Sequence, residues 1–176
     1  MKLLKQVPAI LGIAVLAACQ SSPMQPAAKQ ARANLEAKSG SNVAGTVDFS
    51  ERPDKVIVST KITGLKPNAN HGFHIHEKGD CSSPDAMTAG GHFNPDGKPH
   101  SGPMEPMHHA GDMGNLTADA KGEAVVSIEM DTVRLDDGKY GVLNRAVVVH
   151  ANPDDFKTQP TGNSGGRIAC GLIKKI

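Results

Sequence analysis

Aromatic residues are scarce in this chain of 176 residues, which has no Trp, one Tyr and four Phe. A core must therefore be built mainly from Val, Ile, Leu and Ala, and the length suits one domain. The sequence shows no convincing helical periodicity and no internal repeat. Gly (19) and Pro (12) are instead plentiful, as expected for many turns between short strands.

The chain also lacks an excess of either charge, with 19 Lys and Arg against 18 Asp and Glu. A nucleic-acid partner would need a basic face, so no such partner is expected. Removing residues 1–18 would take away Lys2 and Lys5 and no acidic residue. That would leave 17 basic and 18 acidic residues, a net charge of −1.

A membrane-spanning apolar run is missing as well, because the apolar stretch at residues 7–18 is only twelve residues long. It follows Lys2 and Lys5, as in a signal peptide. We expect residues 1–18 to be removed, because the stretch ends in LAAC, which looks like a bacterial lipoprotein processing site with Cys19 as the lipidated residue. An ordinary secretory signal with an incidental Cys is the alternative.

Lipidation at Cys19 would anchor the protein stably, since each buried CH₂ of an acyl chain contributes about 0.8 kcal/mol. Gln20, rather than Asp, follows this Cys, which in enteric bacteria favours the outer membrane. We therefore expect a periplasmic protein, anchored by lipid on the periplasmic face of the outer membrane. Residues 19–33 are expected to be a flexible tether and residues 34–176 the folded domain.

Short alternating segments predict about eight antiparallel β-strands, at residues 31–38, 43–50, 55–62, 71–76, 115–118, 123–130, 142–150 and 167–173. Two stretches without periodicity, residues 77–111 and 152–166, are predicted to be loops, and loops of that length are usually functional. The pattern indicates an all-β sandwich or barrel.

Histidines are crowded into one part of the chain. Seven of the eight fall between positions 71 and 109, and His150 follows an apolar run. His74 and His76 in FHIH share one face of a strand, so that Phe73 and Ile75 point into the core. Imidazole suits copper and zinc. A surface loop that is rich in His by accident, or a pH-responsive patch, fits this spacing less well.

Five motifs agree in residue type and spacing with a known family: GFHIHEKGDC, GGHFNPDGKPH, HHAGDMGNLTAD, VVVHANPDD and TGNSGGRIACGLI. Over roughly residues 42–173 the sequence resembles the copper/zinc superoxide dismutases. The resemblance implies an eight-stranded antiparallel Greek-key β-barrel with both long loops over one side. It also implies the dismutation of superoxide to dioxygen and hydrogen peroxide, with copper and zinc as cofactors.

The resemblance further implies two metal sites that share His92. Copper would be bound by His74, His76, His92 and His150, and zinc by His92, His100, His109 and Asp112. In the family's mechanism the bond between copper and the bridging histidine breaks and the freed nitrogen takes a proton, so His92 would be catalytic. Arg167 would guide the anionic substrate, the alternative being a solvated surface charge.

Asp154 matches the family's carboxylate that accepts hydrogen bonds from a copper ligand and a zinc ligand, here His74 and His100. The alternative is a loop Asp that caps a turn. His71 and His108 are interpreted as non-ligands.

One further cluster, Met104, Met107 and His108, lies beside the zinc ligands. Because thioethers favour copper(I), it is either a weak copper-acquisition site or a set of flexible side chains that fill a loop or a contact surface.

The cysteine count agrees with export. If Cys19 is lipidated, Cys81 and Cys170 remain, and an even pair in an oxidising compartment indicates a disulfide. The family's bonded pair matches the same positions. Two buried thiols are the alternative. A closed loop of about 90 residues would contribute roughly 4–5 kcal/mol through chain entropy.

Two other functions fit parts of the sequence. One is a copper-binding lipoprotein that stores or delivers the metal without turnover, and the other is a zinc-stabilised structural module. Monomer and homodimer are both left open, and the sequence identifies no interface. The second predicted loop lacks the Glu and Lys run of eukaryotic members, and Lys157 is the only formal charge between Asp155 and Arg167.

Overall fold

The computed structural model describes residues 28–176. The predicted signal peptide, Cys19 and residues 19–27 of the predicted tether lie outside the described residues. Within them the chain forms eight strands and one short 3-10 turn, Met87–Ala89. The strands are β1 (Gln30–Ala37), β2 (Ala44–Glu51), β3 (Val56–Thr63), β4 (Asn70–His76), β5 (Asp112–Thr117), β6 (Ser127–Met130), β7 (Ala146–His150) and β8 (Arg167–Lys175). Over residues 28–176 no helix has the length and apolarity needed to cross a membrane.

All neighbouring strands pair antiparallel in the order β5-β4-β7-β8-β1-β2-β3-β6. The sheet curls into a nearly closed barrel. Three neighbouring pairs, β4 with β7, β8 with β1 and β3 with β6, are not consecutive in the chain, so connections cross between the halves of the sheet. The predicted all-β fold with eight strands is confirmed.

Strand β1 lies where alternation predicted a strand, at residues 31–38, so the folded domain begins before residue 34, the domain boundary that the sequence predicted. Residues 30–33, assigned to the tether, pair with β2 and β8 as part of β1. Ala31 and Ala33 are completely buried, and they alternate with the exposed Gln30 and Arg32.

Two other strands are shorter than predicted. Strand β7 starts at Ala146 rather than at residue 142, because Asn144 has a φ of 61° and the chain turns there. Strand β6 starts at Ser127 rather than at residue 123, although Ala124 still bridges to Ile62.

The two strands that carry histidines have one face in the core. Phe73 and Ile75 of β4 lie in the main hydrophobic cluster, as the alternation predicted. The histidines lie on the opposite face, but His74 and His76 are 0% exposed and His150 is 3% exposed. They are therefore not open to solvent, because two loops cover this face of the barrel.

These two covering segments are named here the first loop (residues 77–111, between β4 and β5) and the second loop (residues 151–166, between β7 and β8). A disulfide joins Cys81 in the first loop to Cys170 on β8, with Cα atoms 5.7 Å apart. This pairing confirms the prediction from the cysteine count. It holds the first loop against the strand that also carries Arg167.

Candidate metal centre

Two groups of metal-ligating side chains lie together between the barrel and the loops. We call them the four-histidine set (His74, His76, His92 and His150) and the Asp112 set (His92, His100, His109 and Asp112). In each set the ligand atoms lie within 4.8 Å of one another, and every residue is buried. These are the same two groups that the family resemblance implied. Strands supply His74, His76, His150 and Asp112, whereas the first loop supplies the other three histidines.

In the four-histidine set, each ring uses one nitrogen to contact the protein and turns the other inward. His76 places Nδ1 2.9 Å from the carbonyl of Gly90, and His150 places Nδ1 3.4 Å from the carbonyl of Gly165. Their Nε2 atoms then face each other at 3.3 Å. His74 donates from Nε2 to a carboxylate and leaves Nδ1 free. The inward nitrogens converge as metal ligands do.

The Asp112 set is centred on one carboxylate. Its oxygens lie 2.9 Å from His92 Nδ1, 3.1 Å from His100 Nδ1 and 3.4 Å from His109 Nδ1. The contact to His100 is close but is not aligned as a hydrogen bond, and this nitrogen has no hydrogen-bond partner. Three imidazoles and one carboxylate converging on one point are a donor set that suits tetrahedral zinc.

His92 belongs to both sets. Its Nδ1 faces Asp112, and its Nε2 is buried without a hydrogen-bond partner. Its ring stacks on that of His74 with centroids 3.9 Å apart. One imidazole is therefore placed to present a different nitrogen to each set.

Asp154, from the second loop, connects the two sets from outside. Its Oδ2 lies 2.8 Å from His74 Nε2, and its Oδ1 lies 2.9 Å from His100 Nε2. Gly162 allows this approach, because a Cβ atom there would overlap both Asp154 Oδ1 and His100 Nε2, and its φ is +66°. Contacts of this kind fix the tautomer and orientation of a ligand.

The unpaired nitrogens test whether metals fit this centre. Four buried ring nitrogens lack hydrogen-bond partners; one, His71 Nε2, lies outside both sets, and the other three are His74 Nδ1, His92 Nε2 and His100 Nδ1. A buried polar atom without a partner costs about 1–3 kcal/mol. These last three belong to the two sets, and a cation bound in each set would give each of the three a partner. Nitrogen donors of this type suit copper and zinc.

Four of the histidines are held in the neutral form. Burial, reinforced by neighbouring histidines, lowers the pKa of His76 and of His150 well below the ordinary value. Burial also lowers the pKa of His74, and it lowers that of His92 to about 4 despite the nearby Asp112. Metals bind the neutral ring, so these four histidines do not have to lose an extra proton before they bind a metal at neutral pH.

His100 behaves differently. Burial opposes its protonation, but the neighbouring carboxylates of Asp112 and Asp154 outweigh burial and raise the pKa to about 9. Burial would by itself raise the pKa of the two carboxyl groups, yet contacts with His100 and other histidines hold both below the usual range. A metal that binds the Asp112 set therefore displaces a proton from His100.

Arg167 lies at the edge of the centre. Its guanidinium group donates to the carbonyl of Ala86 at 2.7 Å and to that of Gly90 at 2.6 Å, both in the first loop. The Gly90 carbonyl also faces His76. The same loop segment therefore positions this cation and one member of the four-histidine set.

The remaining predicted residues lie outside both sets. His71 places Nδ1 2.9 Å from the carbonyl of His150, and His108 places Nδ1 2.7 Å from that of His109. Met104 is 93% exposed and Met107 53% exposed. Neither side chain is buried inside the first loop, and a copper-acquisition role for this cluster stays a prediction.

The sequence did not reveal two residues that hold ligands in place. Arg145 lies with its guanidinium carbon 3.7 Å from the centroid of the Phe93 ring and donates to the carbonyl of Glu77. Phe93 follows His92 in the chain, and Glu77 follows His76. The second residue, Gln159, contacts the backbone of His100. The only sequence signal for Arg145 is that it is a charged residue placed directly before the apolar run of β7. No sequence signal points to Gln159.

Comparison with known proteins gives three findings. The profile of the copper/zinc superoxide dismutase (SODC) family matches residues 43–173. A protein of Paramecium bursaria Chlorella virus 1, named Superoxide dismutase [Cu-Zn], is 44% identical over 137 residues, which cover 74% of this chain and 72% of the relative. A crystal structure described as that of the clock protein EA4 superimposes with a TM-score of 0.77 at 36% identity, covering 88% of this chain and 99% of the other.

Proposed function

The chain belongs to the copper/zinc superoxide dismutase family, and from this membership we propose which residues perform each part of the reaction. The protein is an enzyme that converts two superoxide anions and two protons into dioxygen and hydrogen peroxide. The observation that carries the assignment of residues is a pair of buried ligand sets that share His92.

The four-histidine set would hold copper and the Asp112 set would hold zinc. Copper supplies the one-electron steps of the reaction, whereas zinc does not change its oxidation state. A set made only of imidazoles suits copper, and the set with one carboxylate suits zinc. Asp154 orients one ligand of each metal, His74 and His100.

His92 is proposed to move a proton at Nε2. This nitrogen is buried and has no hydrogen-bond partner within the protein. The opposite nitrogen, Nδ1, lies 2.9 Å from Asp112 and would be held within the Asp112 set, so the ring would keep its orientation whether or not Nε2 carries a proton. The product peroxide needs protons, and a fixed ring beside the reacting centre can deliver one.

Arg167 is proposed to attract superoxide to the mouth of the site. Two first-loop carbonyls fix its guanidinium group. The expected mature chain has a net charge of −1, so the whole molecule does not attract an anion. Local positive charge must therefore do so.

Elemental analysis and a superoxide assay on the same metal-loaded protein test this assignment. We expect one copper and one zinc per chain together with superoxide consumption, and His92→Ala should change the copper spectrum and reduce turnover. Two zincs without copper uptake would contradict the assignment of the sets. Copper binding without superoxide consumption would instead indicate the copper-delivery alternative.

We also propose that the protein is exported and anchored by lipid at Cys19 to the periplasmic face of the outer membrane. Support comes from Lys2 and Lys5, the twelve apolar residues that follow and the LAAC sequence. Mass spectrometry should find an acylated N-terminal Cys19, and Cys19→Ala should move the protein to the soluble fraction. Homodimer formation stays a prediction that sedimentation of the metal-loaded protein tests.

A further inference from the structure

Gln159 in the second loop pairs with the backbone of His100. Its Oε1 accepts from the backbone N–H of His100 at 2.7 Å, and its Nε2 donates to the His100 carbonyl at 2.7 Å. Only this orientation of the amide matches a donor with an acceptor at both points. Two hydrogen bonds to one residue, from a side chain 59 positions away, restrict both the place and the direction of its Cα–Cβ bond.

His100 needs such an anchor more than the other loop ligands do. It lies in a stretch of the first loop without secondary structure. His109 is three residues before β5, and its backbone N–H donates directly to Asp112 at 3.0 Å. His92 bridges to His76 of β4. His100 has no bridge to a strand, its own N–H does not contact Asp112, and the N–H of the next residue, Ser101, reaches Asp112 only at 3.5 Å. Its backbone is therefore held mainly from the second loop.

The same loop also holds the ring of His100, because Asp154 Oδ1 accepts from its Nε2. The backbone and the outer nitrogen are thus both fixed, and Nδ1 is left pointing at Asp112, 3.1 Å away. Gly162 lets the loop approach this closely. The second loop therefore determines where the inner nitrogen of His100 lies.

The turn that carries Gln159 is itself fixed. The carboxylate of Asp155 accepts from the backbone N–H groups of Lys157 at 2.9 Å and Thr158 at 2.8 Å. Gly162 closes the turn by donating to the carbonyl of Thr158 at 2.6 Å. Gln159 therefore projects from a small closed turn, and its amide loses little additional freedom when it pairs with His100.

Phe156 docks this turn on the first loop. Its φ of 61° is unfavourable for a bulky residue, so tertiary contacts must hold it. Its backbone N–H donates to Asp154 Oδ1 at 2.8 Å. Its ring lies over Gly102, where a Cβ atom would sit 3.5 Å from the ring, and near Gly114. The two loops therefore form one packed unit around His100.

We propose that Gln159 is a positioning residue for the zinc site, which acts by fixing the backbone of His100. This inference rests on the proposed assignment of zinc to the Asp112 set. Through the Gln159 amide, a short second loop can place a metal ligand of the first loop without any charged contact to its backbone.

The test compares Gln159→Glu, Gln159→Leu and the control Gln30→Leu, which changes an exposed Gln on β1. Glutamate keeps the acceptor for the His100 N–H but loses the donor and places a carboxylate against the carbonyl. We expect both Gln159 variants to weaken zinc binding 10- to 100-fold in competition with a chromophoric chelator. They should also change the visible spectrum of cobalt(II) in the zinc site, whereas copper affinity should change less than 3-fold.

Gln159→Glu is close in size to the native residue, so it stays decisive if Gln159→Leu folds poorly. Zinc affinity within 2-fold of the unmodified protein for this variant would overturn the proposal, and so would equal losses of zinc and copper. A His100→Ala variant separates the two inferences. If it binds zinc as the unmodified protein does, the assignment of zinc to the Asp112 set is wrong, whatever the effect of Gln159.

Discussion

At the scale of single residues, Asp154 contacts a histidine of each metal set through one carboxylate. A single substitution can therefore test whether this carboxylate is needed for metal binding. Asp154→Asn keeps the shape but replaces one oxygen by an NH₂ group, which cannot accept from a histidine. Either His74 or His100 then loses its acceptor. We expect the affinity for at least one metal to fall 10- to 100-fold, as measured by chelator competition for copper and for zinc.

Asp155→Asn is the matched control for this change. Asp155 is the next residue in the chain and is exposed, and its carboxylate contacts Lys157 and Thr158 rather than a ligand. An asparagine Oδ1 can still accept from the backbone N–H groups of both residues, so the turn that carries Gln159 should keep its shape and both metal affinities should stay nearly unchanged. Equal effects of the two substitutions would show that the second loop, and not the carboxylate of Asp154, holds the ligands.

A second prediction concerns the attraction of substrate. Arg167 is fixed at the edge of the site, whereas Lys157 is exposed on the second loop. At an assumed 12 Å a single charge contributes roughly 0.3–1.4 kcal/mol before screening, and a Debye length of about 8 Å removes most of it at physiological salt. Arg167→Ile should therefore slow superoxide consumption far more than Lys157→Glu, which should change it only a few-fold.

The measurement is the rate constant of superoxide consumption as ionic strength rises. The rate of the unmodified enzyme should fall, because the attraction is electrostatic, and Arg167→Ile should show a weaker dependence on salt. A Lys157→Glu variant that is slowed as severely as Arg167→Ile would show that the second loop guides the substrate.

The family resemblance was enough to group the ligands, but the sequence did not show how each ring is oriented. The spacing of His74 and His76 indicated a shared strand face, and the family motifs implied both sets. The nitrogen that each ring presents depends on the carbonyls of Gly90 and Gly165 and on Asp154. Backbone carbonyls leave no trace in a residue pattern, because every residue has one.

At the scale of elements, two contacts hold the first loop against β8: the disulfide and the hydrogen bonds of Arg167. The bridge closes 89 positions of chain, so its loss should lower the free energy of unfolding by roughly 4–5 kcal/mol through chain entropy. We expect a Cys81→Ser/Cys170→Ser variant to show this loss in denaturant titrations of metal-free protein.

The same variant should bind copper more weakly. The segment released with Cys81 includes Gly90, whose carbonyl contacts both His76 and Arg167. Copper affinity that is unchanged in the double variant would mean that Arg167 alone is sufficient to hold this segment. Zinc affinity is the internal comparison, because His100 is held from the second loop and not from β8.

The ends of the strands show why the local sequence pattern predicts only part of the fold. Alternation predicted strand β1 at residues 31–38, but not that residues 31–33 belong to the folded domain. Ala31 and Ala33 are buried there by pairing with β2 and β8. Those partners are distant in the chain, so no local signal indicates the pairing. Strand β7 begins late because Asn144 turns the chain. Alternation predicted which residues of β4 face the core, since that depends on neighbours within one strand.

At the scale of the whole molecule, several buried histidines have pKa values in the folded protein that differ from those in the unfolded chain. His74, His76, His92 and His150 have lowered pKa values, and that of His92 is about 4. Each is neutral in the folded protein at a pH where the unfolded chain would already bind a proton. In the metal-free protein, stability from these four is therefore present above about pH 6.5, the ordinary value for histidine, and is lost as pH falls.

His100 acts in the opposite sense, because its pKa is raised to about 9. The stability that protonated His100 contributes to the metal-free protein is fully present below about pH 6.5 and is lost as pH rises towards 9. We therefore predict that the metal-free protein is most stable near pH 6.5. Between pH 6.5 and 4 the lowered pKa of His92 alone should remove roughly 3 kcal/mol, at 1.36 kcal/mol per unit.

Thermal unfolding of metal-free and metal-loaded protein from pH 4 to 9 measures this dependence. Bound metals stabilise the folded state by mass action, and they compete with protons for the same ring nitrogens. The loaded protein should therefore keep a nearly constant unfolding temperature between pH 6 and 9, and its loss of stability on the acid side should begin at lower pH. A metal-free protein that is equally stable at pH 4.5 and 6.5 would contradict the idea that the barrel and its two loops hold these histidines neutral for metal binding.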